Sequence, residues 1–125
     1  MNYVPNWFLC ECKSIKKFTI PDNVTSICYF AFDSCDSLTN IVIPDSVTSI
    51  GDSAFYYCDT LTSIEIPKRE TSIGYGAFNN CTSLTSIIYK GTKKEALNKL
   101  KVKDKEWRKG SAISKIICTD GVIEL

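Results

Sequence analysis

Apolar residues recur along this chain with a period that no single helix or strand produces. The stretches IPDNVTSICYFAFDSCDSLTNIV from Ile20, IPDSVTSIGDSAFYYCDTLTSIE from Ile43 and IPKRETSIGYGAFNNCTSLTSII from Ile66 carry their apolar side chains in the same columns, 23 residues apart. The columns are Ile20/Ile43/Ile66, Val24/Val47, Ile27/Ile50/Ile73, Ala31/Ala54/Ala77, Phe32/Phe55/Phe78, Leu38/Leu61/Leu84 and Ile41/Ile64/Ile87. A block this short cannot bury its own apolar face, so the blocks must stack and share one core. The pattern predicts a solenoid.

Within each block the elements follow from local chemistry. Leu-Thr-x-Ile-x-Ile sets two isoleucines on one face with period two, and the proline that follows has no backbone donor and ends the strand. Val-Thr-Ser-Ile is β-branched and predicts a second extended segment across the coil. Ala, Phe and Cys around Ala-Phe-x-x-Cys have near-helical spacing and predict one helical or 3₁₀ turn.

The columns continue backwards from the first full block. Cys12, Ile15, Phe18 and Ile20 precede Cys35, Leu38, Ile41 and Ile43 by one period, and Val4, Phe8 and Leu9 fall in the columns of Ile27, Ala31 and Phe32. Met1 therefore lands in mid-repeat, which predicts either a piece of a longer array or an open first coil covered by a partner or a second copy. After Tyr89 the repeat stops. Lys93–Val102 is amphipathic and predicts a helix capped by Thr92 with Glu95 three residues on; Lys103–Lys109 predicts a short turn holding Trp107; Ser114–Leu125 predicts a hairpin turning at Asp120-Gly121.

The consensus Leu-x-x-Ile-x-Ile-Pro-x-x-Val-x-x-Ile-Gly-x-x-Ala-Phe-x-x-Cys resembles the BspA-type leucine-rich repeat family over residues 20–88, and Tyr-x-Gly-Thr, Trp107 and Ile-x-Cys-Thr-Asp-Gly-x-Ile resemble the closing element of its members. Two departures stand out: Cys28 replaces Gly51 and Gly74, and Lys68-Arg69-Glu70 replaces Asp-x-Val, placing Glu70 in a core column, where a local distortion or a path for its carboxylate to water is expected. The expected fold class is α/β, a leucine-rich-repeat solenoid of short parallel strands with one helical or 3₁₀ turn per coil, closed by a helix plus β-hairpin C-terminal cap. One continuous domain is expected, with a truncated repeat over 1–19, three repeats over 20–88 and a cap over 89–125. The resemblance implies a non-enzymatic protein-interaction or adhesion module, cell-surface or secreted as part of a longer protein, and a host or extracellular matrix protein as its partner. The alternative is a structural array or stalk whose parent protein acts elsewhere; a complete chain would instead be cytoplasmic.

Composition adjusts this picture in a few places. In 125 residues the formal net charge is +1, yet residues 20–88 hold eight acids against Lys68 and Arg69, while 89–118 hold ten bases against Glu95, Asp104 and Glu106. The array is acidic and the tail basic. The tail's interleaved acids and single aromatic, Trp107, favour a solvated surface over nucleic-acid binding. No apolar run approaches the ~18–20 residues that cross a bilayer, so membrane insertion is not expected.

Histidine is absent, which removes Ser-His-Asp and Cys-His nucleophilic sites and the commonest metal ligand. Asp22/Asp45 and Asp36/Asp59 recur at the repeat period on turns, where aspartate is an ordinary turn former. Cys12, Cys35, Cys58 and Cys81 form one column of small, buried thiols whose sulfurs point the same way; no CxxC pair supplies zinc geometry. Cys10, Cys28 and Cys118 lie off that column. No cofactor, metal or catalytic residue is expected.

Candidate partner-binding residues are therefore those the core does not use. Outward strand positions align as Lys17, Asn40, Ser63 and Ser86, and as Thr19, Val42, Glu65 and Ile88. Tyr29, Tyr56, Tyr57 and Tyr75 occupy variable positions around the turn and form a second candidate group, since tyrosine is enriched at interface hot spots. Self-association through the open first coil is a third option.

Overall fold

The computed structural model describes residues 2–68, 72–100 and 105–125. Two sheets, parallel except for the last strand of the broader one, run along a solenoid. One is built from β1 (Tyr3–Val4), β3 (Ser26–Ile27), β5 (Ser49–Ile50) and β7 (Ser72–Ile73), in that order. The broader sheet is built from β2 (Lys17–Thr19), β4 (Asn40–Val42), β6 (Ser63–Ile66), β8 (Ser86–Tyr89), β9 (Lys115–Cys118) and β10 (Gly121–Glu124), with order β10-β9-β8-β6-β4-β2. Both extended sides expected from the block are present. Ile27 pairs with Ile50 and Ile50 with Ile73, and Ile41 pairs with Ile64, so each pairing joins residues one repeat apart. Val4 pairs with Ile27, which carries the register back into the first coil.

The third side differs from expectation in its detail. Instead of a helical or 3₁₀ turn, each coil makes a succession of β-turns that alternates local and inter-coil bonds. Phe30, Phe32 and Ser34 donate their N–H groups to Asp52, Ala54 and Tyr56 carbonyls of the next coil, while Ala31, Asp33 and Cys35 donate to residues three back in their own. Two columns, Trp7/Phe30/Ser53/Gly76 and Glu11/Ser34/Tyr57/Asn80, adopt positive φ between 55° and 68°. A repeated left-handed residue interrupts any helix, but it turns every second N–H toward the neighbouring coil, where a stacked chain has acceptors to offer.

The core is the set of columns expected from sequence. Phe32, Phe55 and Phe78 are fully buried, and Ile73 is half-buried against the cluster. In the first coil Val4 and Ile20 are buried, whereas Leu9, Cys12, Ile15 and Phe18 are half-buried and Phe8 is exposed. Glu70 lies outside the described residues. Gly51 shows how closely the coils approach: a Cβ there would stand 2.8 Å from the Tyr29 nitrogen and 2.9 Å from the Cys28 carbonyl carbon.

The cap imitates one more coil. Gly76, Phe78 and Asn80 donate to the carbonyls of Glu106, Trp107 and Lys109, as their counterparts do to a true repeat. β9 runs parallel to β8, and β10 then returns antiparallel. The helix α1 spans Lys93–Lys99, with Thr92 and Glu95 forming the expected capping box and Leu100 leaving helical geometry; residues 101 and 102 of the longer expected helix lie outside the described residues. The short turn is a 3₁₀ turn, Glu106–Arg108, with Trp107 buried. The hairpin turn needs correction by one residue: Gly121 already pairs with Cys118, so Thr119 and Asp120 form the loop, and of the expected Asp120-Gly121 pair only Gly121 has positive φ. Asp120 is drawn away because its carboxylate accepts the Lys93 N–H at 2.8 Å, at the start of α1.

Candidate protein-binding face

The broad sheet presents its outward side chains in two columns. Lys17, Asn40 and Ser63 stand side by side in register, and Ser86 continues the column to Lys115 and Glu124 of the hairpin. The second column runs from Thr19 to Val42, Glu65, Ile88, Ile117 and Val122. The candidate strand residues are thus brought together on one face. Lys17, Asn40, Val42 and Glu65 are exposed, and Ser63, Ser86 and Ile88 are half-buried. Sequence inspection missed the contribution of the cap: Lys115, Ile117, Val122 and Glu124 extend both columns, and the alternation of Lys-Ile-Ile-Cys and Gly-Val-Ile-Glu was the available signal.

The second column is largely apolar, with one charged interruption. Glu65 is held at 3.8 Å from the Lys90 ammonium, which also approaches Asp45 at 3.9 Å. All three side chains remain substantially exposed, so these pairs hold their groups loosely in water.

The tyrosines do not form a single patch. Tyr29 lies edge-on to Phe30, which stacks on Trp7 at 4.4 Å. Tyr56 and Tyr57 meet edge-on at 4.7 Å on a different column, and Tyr75 stands apart with its backbone N–H bound to the Asp52 carboxylate. Tyr29, Tyr57 and Tyr75 are exposed, Tyr56 half-buried. Trp7 was overlooked as a neighbour of Phe30, although it precedes it by one period.

The cysteine column is structural in its bonding. Cys35, Cys58 and Cys81 donate their thiols to the carbonyls of Leu9, Phe32 and Phe55 respectively, each 26 residues back. Burial pushes the Cys81 thiol up to about 12, and the adjacent Cys35 thiol together with burial pushes Cys58 up as well. Cys58 and Cys81 are thereby held as protonated donors, whereas the hydrogen bond with Cys58 lowers the Cys35 thiol. All seven cysteines are free, and among the described residues no group of three or more Cys, Asp or Glu side chains is placed to hold a metal ion. Asp36 and Asp59 flank a small hollow of about 220 Å³ beside Tyr57. Among the described residues no helix is long and apolar enough to cross a membrane. Trp107 is 3% exposed beneath Arg108 and edge-on to Phe78, so the tail's aromatic is spent on the core.

A family model described as the BspA type leucine rich repeat region matches residues 2–120 in six copies. Among curated proteins none matches. Three solved structures are similar. A leucine-rich repeat protein from Bacteroides ovatus superposes with TM-score 0.68 at 27% identity, covering 94% of this chain and 29% of that one. A T. pallidum leucine-rich repeat protein gives 0.59 at 26%, covering 69% and 51%. A leucine-rich cell surface protein from Faecalibacterium prausnitzii gives 0.50 at 26%, covering 87% and 33%. This chain therefore spans from under a third to about half the length of these neighbours.

Proposed function

Because the chain belongs to the BspA-type leucine-rich repeat family, we propose that it is a non-enzymatic protein-interaction module that binds a partner protein through the broad sheet. One observation carries this: the two outward columns, Lys17–Asn40–Ser63–Ser86 and Thr19–Val42–Glu65–Ile88, continue in register into the hairpin. Parallel strands stacked at about 4.8 Å make such a surface wide, regular and rigid, and solenoids use faces of this kind for recognition. Val42 and Ile88 supply apolar area, while Asn40, Ser63, Ser86, Lys17 and Glu65 supply donors, acceptors and charge. The four tyrosines form lesser contact points on the turn side.

The setting proposed is a cell-surface or secreted adhesin-like protein of which this chain is one part, and a host or matrix protein is the partner class. Support comes from the Faecalibacterium neighbour, described as a cell surface protein, and from the longer neighbouring chains. The test is alanine substitution at Asn40, Ser63 and Glu65 together, measured by surface plasmon resonance against candidate partners. Binding at least tenfold weaker is expected, and unchanged binding of every partner sinks the sheet-face assignment.

The second candidate is a structural array, favoured by the small share of each neighbour's length that this chain covers. In that case deleting the chain from its parent leaves partner binding intact. Self-association through the first coil is a further option, supported by the exposure of Trp7 and Phe8 at 51% and 44%, and sedimentation equilibrium tests it.

A further inference from the structure

At the end of strands β2 and β4 the sheet face opens into a groove of about 410 Å³ whose chemistry is distinct from the columns beside it. Its apolar lining comes from Val42, which is 41% exposed, and Pro44, with the buried Ile20 and Ile43 behind them and Thr19 and Ser46 alongside. Its rim carries Asp22 and Asp45, which follow the prolines of consecutive blocks and stand one coil apart. Lys90 closes the far side.

Among the described residues these carboxylates close no turn, and Asp45 has one loose ion pair, with Lys90. Each turn carries a backbone bond, Val24 N–H to the Pro21 carbonyl and Val47 N–H to the Pro44 carbonyl. Neither aspartate accepts a hydrogen bond from its turn among the described residues, where the cation within 4 Å of Asp45 is Lys90, at 3.9 Å. Two acceptor groups above an apolar lining, with one of the chain's own cations reaching in from the side, match a long side chain with an aliphatic stem and a cationic head.

We infer that this groove receives an arginine side chain of the partner protein, its methylenes on Val42 and Pro44 and its guanidinium bridging Asp22 and Asp45. Arginine fits better than lysine because its planar fork offers donors to two carboxylates at once. The inference rests on the sheet-face function proposed above and names the chemistry recognised at one end of it.

The test titrates the full 125-residue chain with acetyl-Gly-Arg-Gly-amide and follows backbone amide shifts by NMR. Saturable shifts confined to the segment around Val42–Ser46 and Asp22 are expected, at least tenfold weaker with the neutral citrulline peptide and several-fold weaker with lysine. Asp22→Asn with Asp45→Asn is expected to abolish them, and Lys90→Ala, which removes the competing cation, to strengthen binding about threefold. Both carboxylates are exposed, and circular dichroism verifies that the double variant folds; 0.5 M salt on the unaltered chain supplies the same charge test without substitution. Shifts equal with citrulline, retained by the double variant or insensitive to salt would overturn the inference. Loss of partner binding on substituting Asn40, Ser63 and Glu65, with no arginine-peptide binding, rejects the groove alone. Peptide binding with partner binding indifferent to those three residues rejects the sheet face alone.

Discussion

Phe55 and Phe78 lie face to face with ring centroids 5.4 Å apart and planes 4° from parallel, and Phe32 stacks on Phe55 at 5.2 Å. Parallel rings at these centroid separations fall in the offset-stacked range that aromatic pairs favour, and the repeat spacing sets them in one column. At both ends of this phenylalanine column the packing turns edge-on, with Phe8 against Phe32 at 6.2 Å and 81° and Trp107 against Phe78 at 6.2 Å and 81°. Phe55→Ala is expected to destabilise the chain by about 3–5 kcal/mol, the range for a fully buried phenylalanine, because the rigid coils on either side cannot close the cavity. Urea unfolding measures it. A loss under 1 kcal/mol would show that the stack is not a shared core.

Gly51 sits where a Cβ would meet the Tyr29 nitrogen at 2.8 Å and the Ile27 carbonyl oxygen at 2.9 Å. Gly51→Ala should cost about 1–3 kcal/mol, as overpacking against backbone does, since backbone has no rotamer to move into. Ser53, with φ 55°, is the converse case: Ser53→Gly removes left-handed strain of roughly 1–2 kcal/mol, partly offset by the greater unfolded-state entropy of glycine. Thermal melts of the two variants should therefore shift in opposite directions.

Burial of Cys81 makes stability pH-dependent on the alkaline side. In the unfolded chain a thiol such as Cys81 loses its proton near its ordinary value of 9.0, while in the folded chain burial holds it up to about 12. The folded state then binds the extra proton, so its stability is intact below pH 9 and falls as pH rises toward 12, by about 1.4 kcal/mol per pH unit for each such thiol. Chemical denaturation between pH 8 and 10.5 should show the decline, and Cys81→Ala should flatten it. Under native conditions at neutral pH a thiol reagent is expected to modify half-buried Cys10, Cys12 and Cys28 and to spare Cys58 and Cys81, with mass spectrometry reporting the sites.

Thr92 accepts the Glu95 N–H at 3.2 Å, and the Glu95 carboxylate accepts the Thr92 N–H at 3.1 Å. Thr92→Ala is expected to cost about 1 kcal/mol, a typical loss for an N-cap side chain, and Thr92→Ser to restore most of it. Differential scanning calorimetry would distinguish the two.

The solenoid was legible in the sequence because each column position answers to one physical demand. Ile41, Ile64 and Ile87 recur since each must cover the last, and Pro21, Pro44 and Pro67 recur since each must end a strand. The turn side was less legible. Helical spacing of Ala54, Phe55 and Cys58 is also satisfied by successive β-turns, and Trp7, Phe30 and Tyr57 in left-handed geometry carry no local signal, because only inter-coil hydrogen bonds make that geometry worthwhile. The hairpin turn moved by one residue for a similar reason: Asp120 is claimed by the N–H of Lys93, 27 residues away. The outward columns of the candidate face could be written down from the strand period, but their extension to Ile117 and Val122 needed the pairing of β8 with β9.

Glu106, Trp107 and Lys109 accept the same three N–H bonds that a further repeat would accept. In these three bonds the last repeat therefore meets the terminator as it would another repeat, although Phe78 packs edge-on against Trp107 in place of a parallel phenylalanine. Copies gained or lost ahead of the cap keep those three bonds, and the outward strand face lengthens or shortens by one row each time. In such a protein, reach is a quantity that unequal recombination can tune in whole-number steps.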